Sequence, residues 1–300
     1  MSALTHLLAH ADRVGATDLW LVTGQATVLR RHGVTLPERP PLDHDAALAE
    51  LLEDATGDRL GDADHVTFAT DTARGRVRVH VVRHAAGLAA TVPRLPAEPP
   101  ALDTLALPAT ARALLTQASG LVLVAGPRGS GRTSAVATLL RHRVATRRGH
   151  ALTLESPIEF VAAPATGTIT SRELGAHTPS LREALQDVAR LDVDTVLVPE
   201  TSDRDLLTRI LAIADARALV IMTVSAPDSV SAIERLLRAW PREAQESARA
   251  RVASCLRFAL ALRLVPGLDG TSTHPACELL VNHAEANHAI RQGAFPTLVD

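Results

Sequence analysis

The sequence contains no lysine and no tyrosine, so all 31 of its basic residues are arginine. These are balanced by 33 acidic residues, and the formal net charge of −2 gives no strong field toward nucleic acid or an anionic membrane. No apolar run approaches membrane-spanning length, and no basic stretch precedes an apolar core at the N-terminus. We therefore expect a cytoplasmic protein with no nucleic-acid partner and no direct membrane insertion.

Cysteine is also scarce, since Cys255 and Cys277 are the only two. Their spacing is not that of metal ligands, and we expect two buried thiols and no zinc site. Apolar residues make up 46 % of the chain, which excludes a disordered protein. A chain of 300 residues with this composition is long enough for two folded domains.

Residues 1–95 combine helical and strand patterns and predict a smaller α+β domain. Apolar spacing and turn residues place its elements as follows: a helix from Leu4 to a C-cap at Gly15, a strand over 16–22, short strands near 28–30 between Gly24 and Gly33, a helix over 45–56, and a strand over 76–82. Prolines then mark residues 96–110 as a stiff linker.

Residues 111–300 alternate strand and helix, which predicts an α/β domain with a parallel sheet. The predicted strands are 121–124, 151–154, 195–198 and 219–224, and helices begin at Thr133, Ser180, Asp203 and Ser229. In such a sheet the binding site lies at the carboxyl ends of the strands.

The first of these strands runs into a glycine-rich loop with the spacing G-x-x-x-x-G, a basic residue and a hydroxyl residue. The loop consists of Gly126, Pro127, Arg128, Gly129, Ser130, Gly131, Arg132, Thr133 and Ser134. Glycines let backbone N–H groups surround phosphate oxygens, and the helix N-terminus favours negative charge. Thr133 stands where a hydroxyl would bind Mg²⁺, so we expect ATP and Mg²⁺ as ligands. The pattern asks for lysine where this chain has Arg132, and guanidinium is not equivalent to ammonium.

Two acidic segments follow strand patterns. Glu200 comes after the apolar strand 195–198, as in a Walker B strand, and Glu155 and Glu159 follow strand 151–154. Alone, each would ordinarily be a strand that meets solvent. Their order and spacing after a phosphate loop favour a nucleotide site.

These motifs together resemble the secretion ATPases of type IV pili and type II secretion, nearest to PilT-like pilus retraction motors. The matching segments are GATDLWL at 15–21, PPL at 40–42, GLVLVAGP at 120–127, LESPIEF at 154–160, AIERLL at 232–237 with WP at 240–241, ELL at 278–280 and AIRQG at 289–293. The resemblance runs nearly from end to end.

The resemblance implies a RecA-like P-loop ATPase domain, a PAS-like N-terminal domain and a hexameric ring of identical or related subunits. It implies that Glu159 activates the attacking water and that Glu200 supports Mg²⁺. Arginines of the N-terminal domain would reach phosphates across the ring interface, and Arg76, Arg78 and Arg83 are the candidates. These three arginines fit a solvated strand face equally well. The implied partner is a pilus or secretion platform protein at the inner membrane, with the ring peripheral to it.

Several positions depart from the family pattern, and they leave the activity open. They are Arg132 for lysine, Ser156 for the acidic-box aspartate, Pro199 for glycine, Ala218 and Ser225 for two histidines, and Leu262 for a glutamine in a predicted helix. We expect a degenerate ring subunit that binds ATP and hydrolyses it weakly or not at all. The alternatives are an active ATPase that drives pilus retraction in twitching motility, and an adaptor that works without nucleotide.

Overall fold

The computed structural model describes residues 3–31, 34–36, 46–50, 63–72, 75–93, 96, 98–161, 166–268 and 272–298. The chain divides into two compact units. The first consists of Met1–Glu98 together with Ser156–Phe160, and the second consists of Pro99–Glu155 and Val161–Asp300.

The first unit is an antiparallel sheet with the helix α1 (Ala3–Arg13), which ends before Gly15 at a φ of +66°. The sheet has the order β3-β2-β1-β6-β5-β4. Its strands are β1 (Asp18–Val22), β2 (Val28–Arg31), β3 (Val34–Thr35), β4 (His65–Thr72), β5 (Gly75–His84) and β6 (Gly87–Pro93). The predicted first helix and strands are confirmed. Residues 46–50 are helical, while the rest of the predicted helix 45–56, Gly33 and residues 40–42 lie outside the described residues.

The core of this unit forms because apolar residues recur every second position along the strands and on one side of α1. Leu7 and Leu8 of α1 are fully buried, as are Leu19 of β1 and Val79 and Val81 of β5. The residues between them along β5 therefore lie on the opposite face of the sheet.

The second unit is built on a mixed seven-stranded sheet of order β13-β12-β7-β11-β10-β8-β9. All neighbours pair in parallel except β12 and β13, which form an antiparallel pair at one edge. The strands are β7 (Gly120–Ala125), β8 (His150–Glu155), β9 (Thr168–Glu173), β10 (Thr195–Val198), β11 (Leu219–Val224), β12 (Leu256–Pro266) and β13 (Thr273–Val281). Every residue of the interior strand β7 is buried, as expected for a strand covered on both faces.

The helices of the second unit connect these strands. They are α2 (Ala109–Leu114), α3 (Arg132–Thr146), α4 (Leu181–Asp187), α5 (Arg204–Ala216), α6 (Ser229–Leu237), α7 (Gln245–Cys255) and α8 (Ala284–Gln292), with short 3₁₀ segments at Leu102–Leu105, Arg242–Ala244 and Phe295–Leu298. None of the helices within the described residues is long and apolar enough to span a membrane. The α/β class and the four predicted strands of this unit are confirmed.

Three sequence-based expectations need correction. Leu262 lies in the strand β12 and not in a helix. The apolar stretch around it is too short for periodicity to separate a buried strand from a buried helix. Five strands were not predicted: β4 and β6 of the first unit, and β9, β12 and β13 of the second. Cys255 is buried as expected, but Cys277 is exposed because it lies on the edge strand β13.

Candidate functional site

The glycine-rich loop leaves β7 through Gly126, whose φ is +155°. A Cβ atom at this position would overlap the Ser130 hydroxyl oxygen and lie 2.7 Å from the Leu262 carbonyl oxygen. Only glycine combines this backbone conformation with such a close approach. The loop is therefore held tightly between its own Ser130 and the neighbouring strand β12.

The helix α3 begins at Arg132, and its N-cap Gly131 is in the left-handed conformation at a φ of +88°. Its N-terminus has no side-chain cap and no acidic residue in the first turn. By contrast, Ser180, Asp203 and Asp228 cap the helices α4, α5 and α6. Because the first N–H groups of a helix lack intrahelical acceptors, the start of α3 presents donors and a favourable dipole to an anion.

The loop side chains fit a phosphate group and a metal ion bound with it. Ser130 is buried, and its hydroxyl has no hydrogen-bond partner within the part of the chain that the structure describes. Pro127, Arg128 and Gly129 are exposed, and Gly131 to Ser134 are half-buried. Thr133 lies in the first turn of α3 and would supply the hydroxyl for Mg²⁺. Among the described residues, no group of three or more His, Cys, Asp or Glu could hold a metal.

Glu200 lies just beyond the end of β10 and collects donors from three elements. Its Oε1 accepts from Arg235 Nε of α6 at 2.6 Å. Its Oε2 accepts from the Ser225 backbone N–H, at the end of β11, at 2.9 Å. Arg132 of α3 places Nη1 3.9 Å from Oε2, too far for a hydrogen bond but close enough for attraction. The loop arginine thus shares one carboxylate with a second arginine.

The electrostatics of this cluster follow from two guanidinium groups facing one carboxylate. Burial lowers the pKa of Arg132, Glu200 opposes this shift, and the charge of Arg235 adds to it. The cluster carries one excess positive charge beside the start of α3. It therefore favours an anionic ligand.

The two positions where the family pattern has histidine lie at opposite ends of β11. Ser225 follows the strand and contacts Glu200 through its backbone. Ala218 precedes the strand and is fully buried. The six residues of β11 separate them, so they lie about 23 Å apart at the usual rise of a strand. Only Ser225 belongs to the candidate site.

A cavity of about 830 Å³ opens beside Glu200. Its walls come from the ends of β10 and β11 and from α6: Glu200, Thr201, Ser202, Met222, Val224, Arg235, Leu236, Arg238 and Ala239. Glu200 is therefore reachable from solvent on this side.

A second polar cluster lies within the first unit, on the segment Ser156–Phe160 and the strand β5. Arg78 Nη1 is 2.7 Å from Glu159 Oε1, and Glu159 is only 7 % exposed. Arg76 donates from Nε to the Ile158 carbonyl oxygen at 2.8 Å and pairs with Asp71 at 3.2 Å. The two arginines lie on the same face of β5 because they are two residues apart.

Arg83 does not join this cluster. It lies at an odd position of β5, on the side of Val79 and Val81, and donates to the Ala63 carbonyl oxygen. Of the three candidate arginines, the structure brings Arg76 and Arg78 to the acidic segment and leaves Arg83 apart.

The family model for type II/IV secretion system proteins matches residues 54–294, most of the chain. The chain belongs to this family. The resemblance to PilT-like proteins is thereby confirmed, and the chain is a divergent PilT-like member of the type II/IV secretion family.

Relatives and solved structures agree on this assignment. The type IV pilus retraction ATPase PilT of Pseudomonas aeruginosa is 28 % identical over 295 residues, which cover 96 % of this chain and 85 % of PilT. The type IV pilus ATPase PilU of the same organism is 26 % identical over 286 residues, which cover 93 % of this chain and 74 % of PilU. A crystal structure of the pilus retraction motor PilT with bound ADP matches at a TM-score of 0.84 and 27 % identity, covering 100 % of this chain and 88 % of that one.

The sequence pointed to every element of the Glu200 cluster except Arg235. That residue belongs to a segment matched to the family, but its position in a helix gave no sign of a bond to a strand end 35 residues earlier. A cap at Asp228, which fixes the start of α6, was the one local signal that could have oriented Arg235.

Proposed function

We propose that this family member binds ATP with Mg²⁺ through the loop Gly126–Ser134 and hydrolyses it weakly or not at all. It would act as a subunit of a homo- or hetero-hexameric ring in a type IV pilus or type II secretion system. The observation that carries the proposal is the position of Arg132 at the uncapped start of α3, with its Nη1 3.9 Å from Glu200 Oε2.

Nucleotide binding is supported by the donors that this loop offers. The first turn of α3, the unpartnered Ser130 hydroxyl and the excess positive charge at Glu200 all favour a phosphate chain. PilT, whose structure this fold matches, was crystallised with ADP. Thr133 and Glu200 would hold the magnesium ion and its water, and the ion would offset charge on the phosphates.

Weak turnover is supported by the state of both candidate catalytic carboxylates. Glu159 pairs with Arg78, so one oxygen of the candidate base already accepts a hydrogen bond and is less available to an attacking water. Glu200 faces two guanidinium groups. Arg132 also replaces a compact ammonium with a broad, forked donor. Misplacing one charged donor typically costs about 10²- to 10³-fold in rate.

The alternative of an active motor rests on what the chain retains. Thr133, Glu159, Glu200 and all three loop glycines are present. If Arg132 reached the phosphates as lysine does, and Arg78 left Glu159 for a neighbouring subunit's nucleotide, the chain would hydrolyse ATP and drive retraction. Arg76 and Arg78 are the arginines we propose for that contact.

Calorimetric titration with ADP and Mg²⁺ tests the binding proposal directly. We expect saturable one-site binding by the native chain and at least about tenfold weaker binding by Arg132→Ala, because a charged donor to phosphate is lost. Arg209→Ala removes the same charge from an exposed position on α5, outside the loop, and serves as the matched control. Absence of binding by the native chain would refute the nucleotide proposal and favour an adaptor.

A further inference from the structure

Arg235 is the strongest partner of Glu200, although it lies on a different element. Its Nε donates to Oε1 at 2.6 Å, while Arg132 approaches Oε2 only to 3.9 Å. The Ser225 N–H occupies the remaining direction at Oε2. The Glu200 side chain is thus fixed by α6 and β11 without help from the loop.

We propose that Arg235 is a positioning residue that holds Glu200 for the magnesium ion and leaves Arg132 free for phosphate. The inference rests on the proposed function, because it concerns the same nucleotide site. It extends that proposal by assigning a role to a residue outside the loop and outside both acidic segments.

The physical reason is competition between two cations for one carboxylate. With Arg235 in place, Oε1 accepts from its guanidinium and Oε2 accepts from the Ser225 N–H, so only a weak attraction over 3.9 Å is left for Arg132. Without Arg235, Glu200 would be free to rotate toward Arg132 and pair with it closely. That pair would draw Glu200 from its place at the end of β10 and withhold Arg132 from a phosphate.

Carboxylates that bind metal ions are commonly held in place by a hydrogen-bond donor, and Arg235 would have this role for Glu200. Removing such an orienting partner typically lowers metal affinity by about ten- to a hundredfold. Arg235 suits this part because its side chain is about half exposed, so its removal leaves the apolar core intact. Arg238 lies one turn later on the same side of the helix, lines the same cavity and does not contact Glu200, so it offers a matched change of charge.

The test measures how much Mg²⁺ tightens ADP binding, as the ratio of the dissociation constants in EDTA and in Mg²⁺. We expect Arg235→Gln to lower this ratio by about tenfold or more. Arg238→Gln should leave it within about twofold of native, because the lost charge is the same but the contact with Glu200 is not made. Arg235→Lys should restore part of the ratio, since ammonium can still donate to the carboxylate.

Each outcome has one interpretation. An unchanged ratio in a folded Arg235→Gln variant, or an equal fall in Arg238→Gln, overturns the positioning role while leaving nucleotide binding intact. Absence of ADP binding by the native chain overturns the proposed function itself. If Arg235→Gln does not fold, Arg235→Met keeps the aliphatic stem and provides the same measurement.

Discussion

The Nη1 atom of Arg78 lies 2.7 Å from the Oε1 atom of Glu159, and the carboxylate is almost fully buried. Glu159 is the residue proposed as the base, and Arg78 is one of those proposed to reach phosphate. Within one chain the two are bound to each other. The pair therefore neutralises both candidate groups at once.

Breaking this pair should destabilise the first unit. We expect Arg78→Gln to lower the free energy of unfolding by about 1–2 kcal/mol, because a buried carboxylate loses its charged partner while Arg78 itself is partly exposed. Urea unfolding followed through the fluorescence of Trp20 on β1, in a Trp240→Phe background, measures the stability of the first unit.

The control is Arg83→Gln, which removes the same charge from the other face of β5. Adding Glu159→Gln to Arg78→Gln should recover most of the loss. Equal destabilisation by the two arginine variants would mean that the pair contributes nothing specific.

Gly126 and Gly129 should respond differently to an added methyl group. A Cβ atom at Gly126 would overlap Ser130 and crowd Leu262, whereas one at Gly129 meets no atom of the described residues within 4 Å. Both positions have positive φ, so Gly129→Ala carries only the backbone strain of about 1 kcal/mol. We expect the dissociation constant for ADP, measured by calorimetry, to be at least about tenfold higher in Gly126→Ala than in Gly129→Ala. Similar losses would show that Gly126 is not specially constrained.

Arg143 is an arginine buried in the second unit, and its Nη2 has no hydrogen-bond partner among the described residues. Its other nitrogens donate to the Leu115 carbonyl at 2.7 Å and to Thr195 Oγ1 at 3.1 Å. Burial lowers the pKa of Arg143 to about 10. The cost of burying this charge is therefore full at neutral pH and fades only as pH rises through about 10.

Arg143→Met should therefore lower the free energy of unfolding at neutral pH by no more than about 1 kcal/mol, because it removes the buried charge and keeps the aliphatic stem packed. Arg143→Ala leaves a cavity and should cost about 2–4 kcal/mol. Urea unfolding followed through Trp240, in a Trp20→Phe background, compares them. If Arg143→Met lowers the free energy of unfolding as much as Arg143→Ala, the two hydrogen bonds of Arg143 contribute more than the packing of its stem.

The two thiols should differ in reactivity. Burial raises the pKa of Cys255 to about 12, so almost no thiolate exists at pH 8. Partial burial also raises the pKa of Cys277, but this residue is accessible on β13. A thiol reagent should label one cysteine in the native protein and both after denaturation. Cys277→Ser should abolish the native reaction, and persistence of that reaction would contradict the burial of Cys255.

The sequence predicted the strands and helices around the loop well, because wholly apolar runs bounded by glycine or capping residues have few alternatives. Thr195–Val198 and Leu219–Val224 were placed to the residue. The prediction was wrong at the antiparallel edge of the sheet, because the apolar run of β12 is equally typical of a buried helix. The contact between Arg235 and Glu200 was not predicted, because the position of a residue in a helix does not indicate which strand end its side chain reaches. The PAS-like nature of the first unit stays a prediction.

Phosphate release by the native chain under saturating ATP and Mg²⁺ tests the central claim most directly. With one misplaced donor at the loop and both carboxylates paired, we expect about 10⁻² s⁻¹ or less, against a typical enzyme near 10 s⁻¹. Calorimetry in the same buffer should still show binding. A rate of about 1 s⁻¹ or more that disappears in Glu159→Ala would contradict the account and identify a working motor.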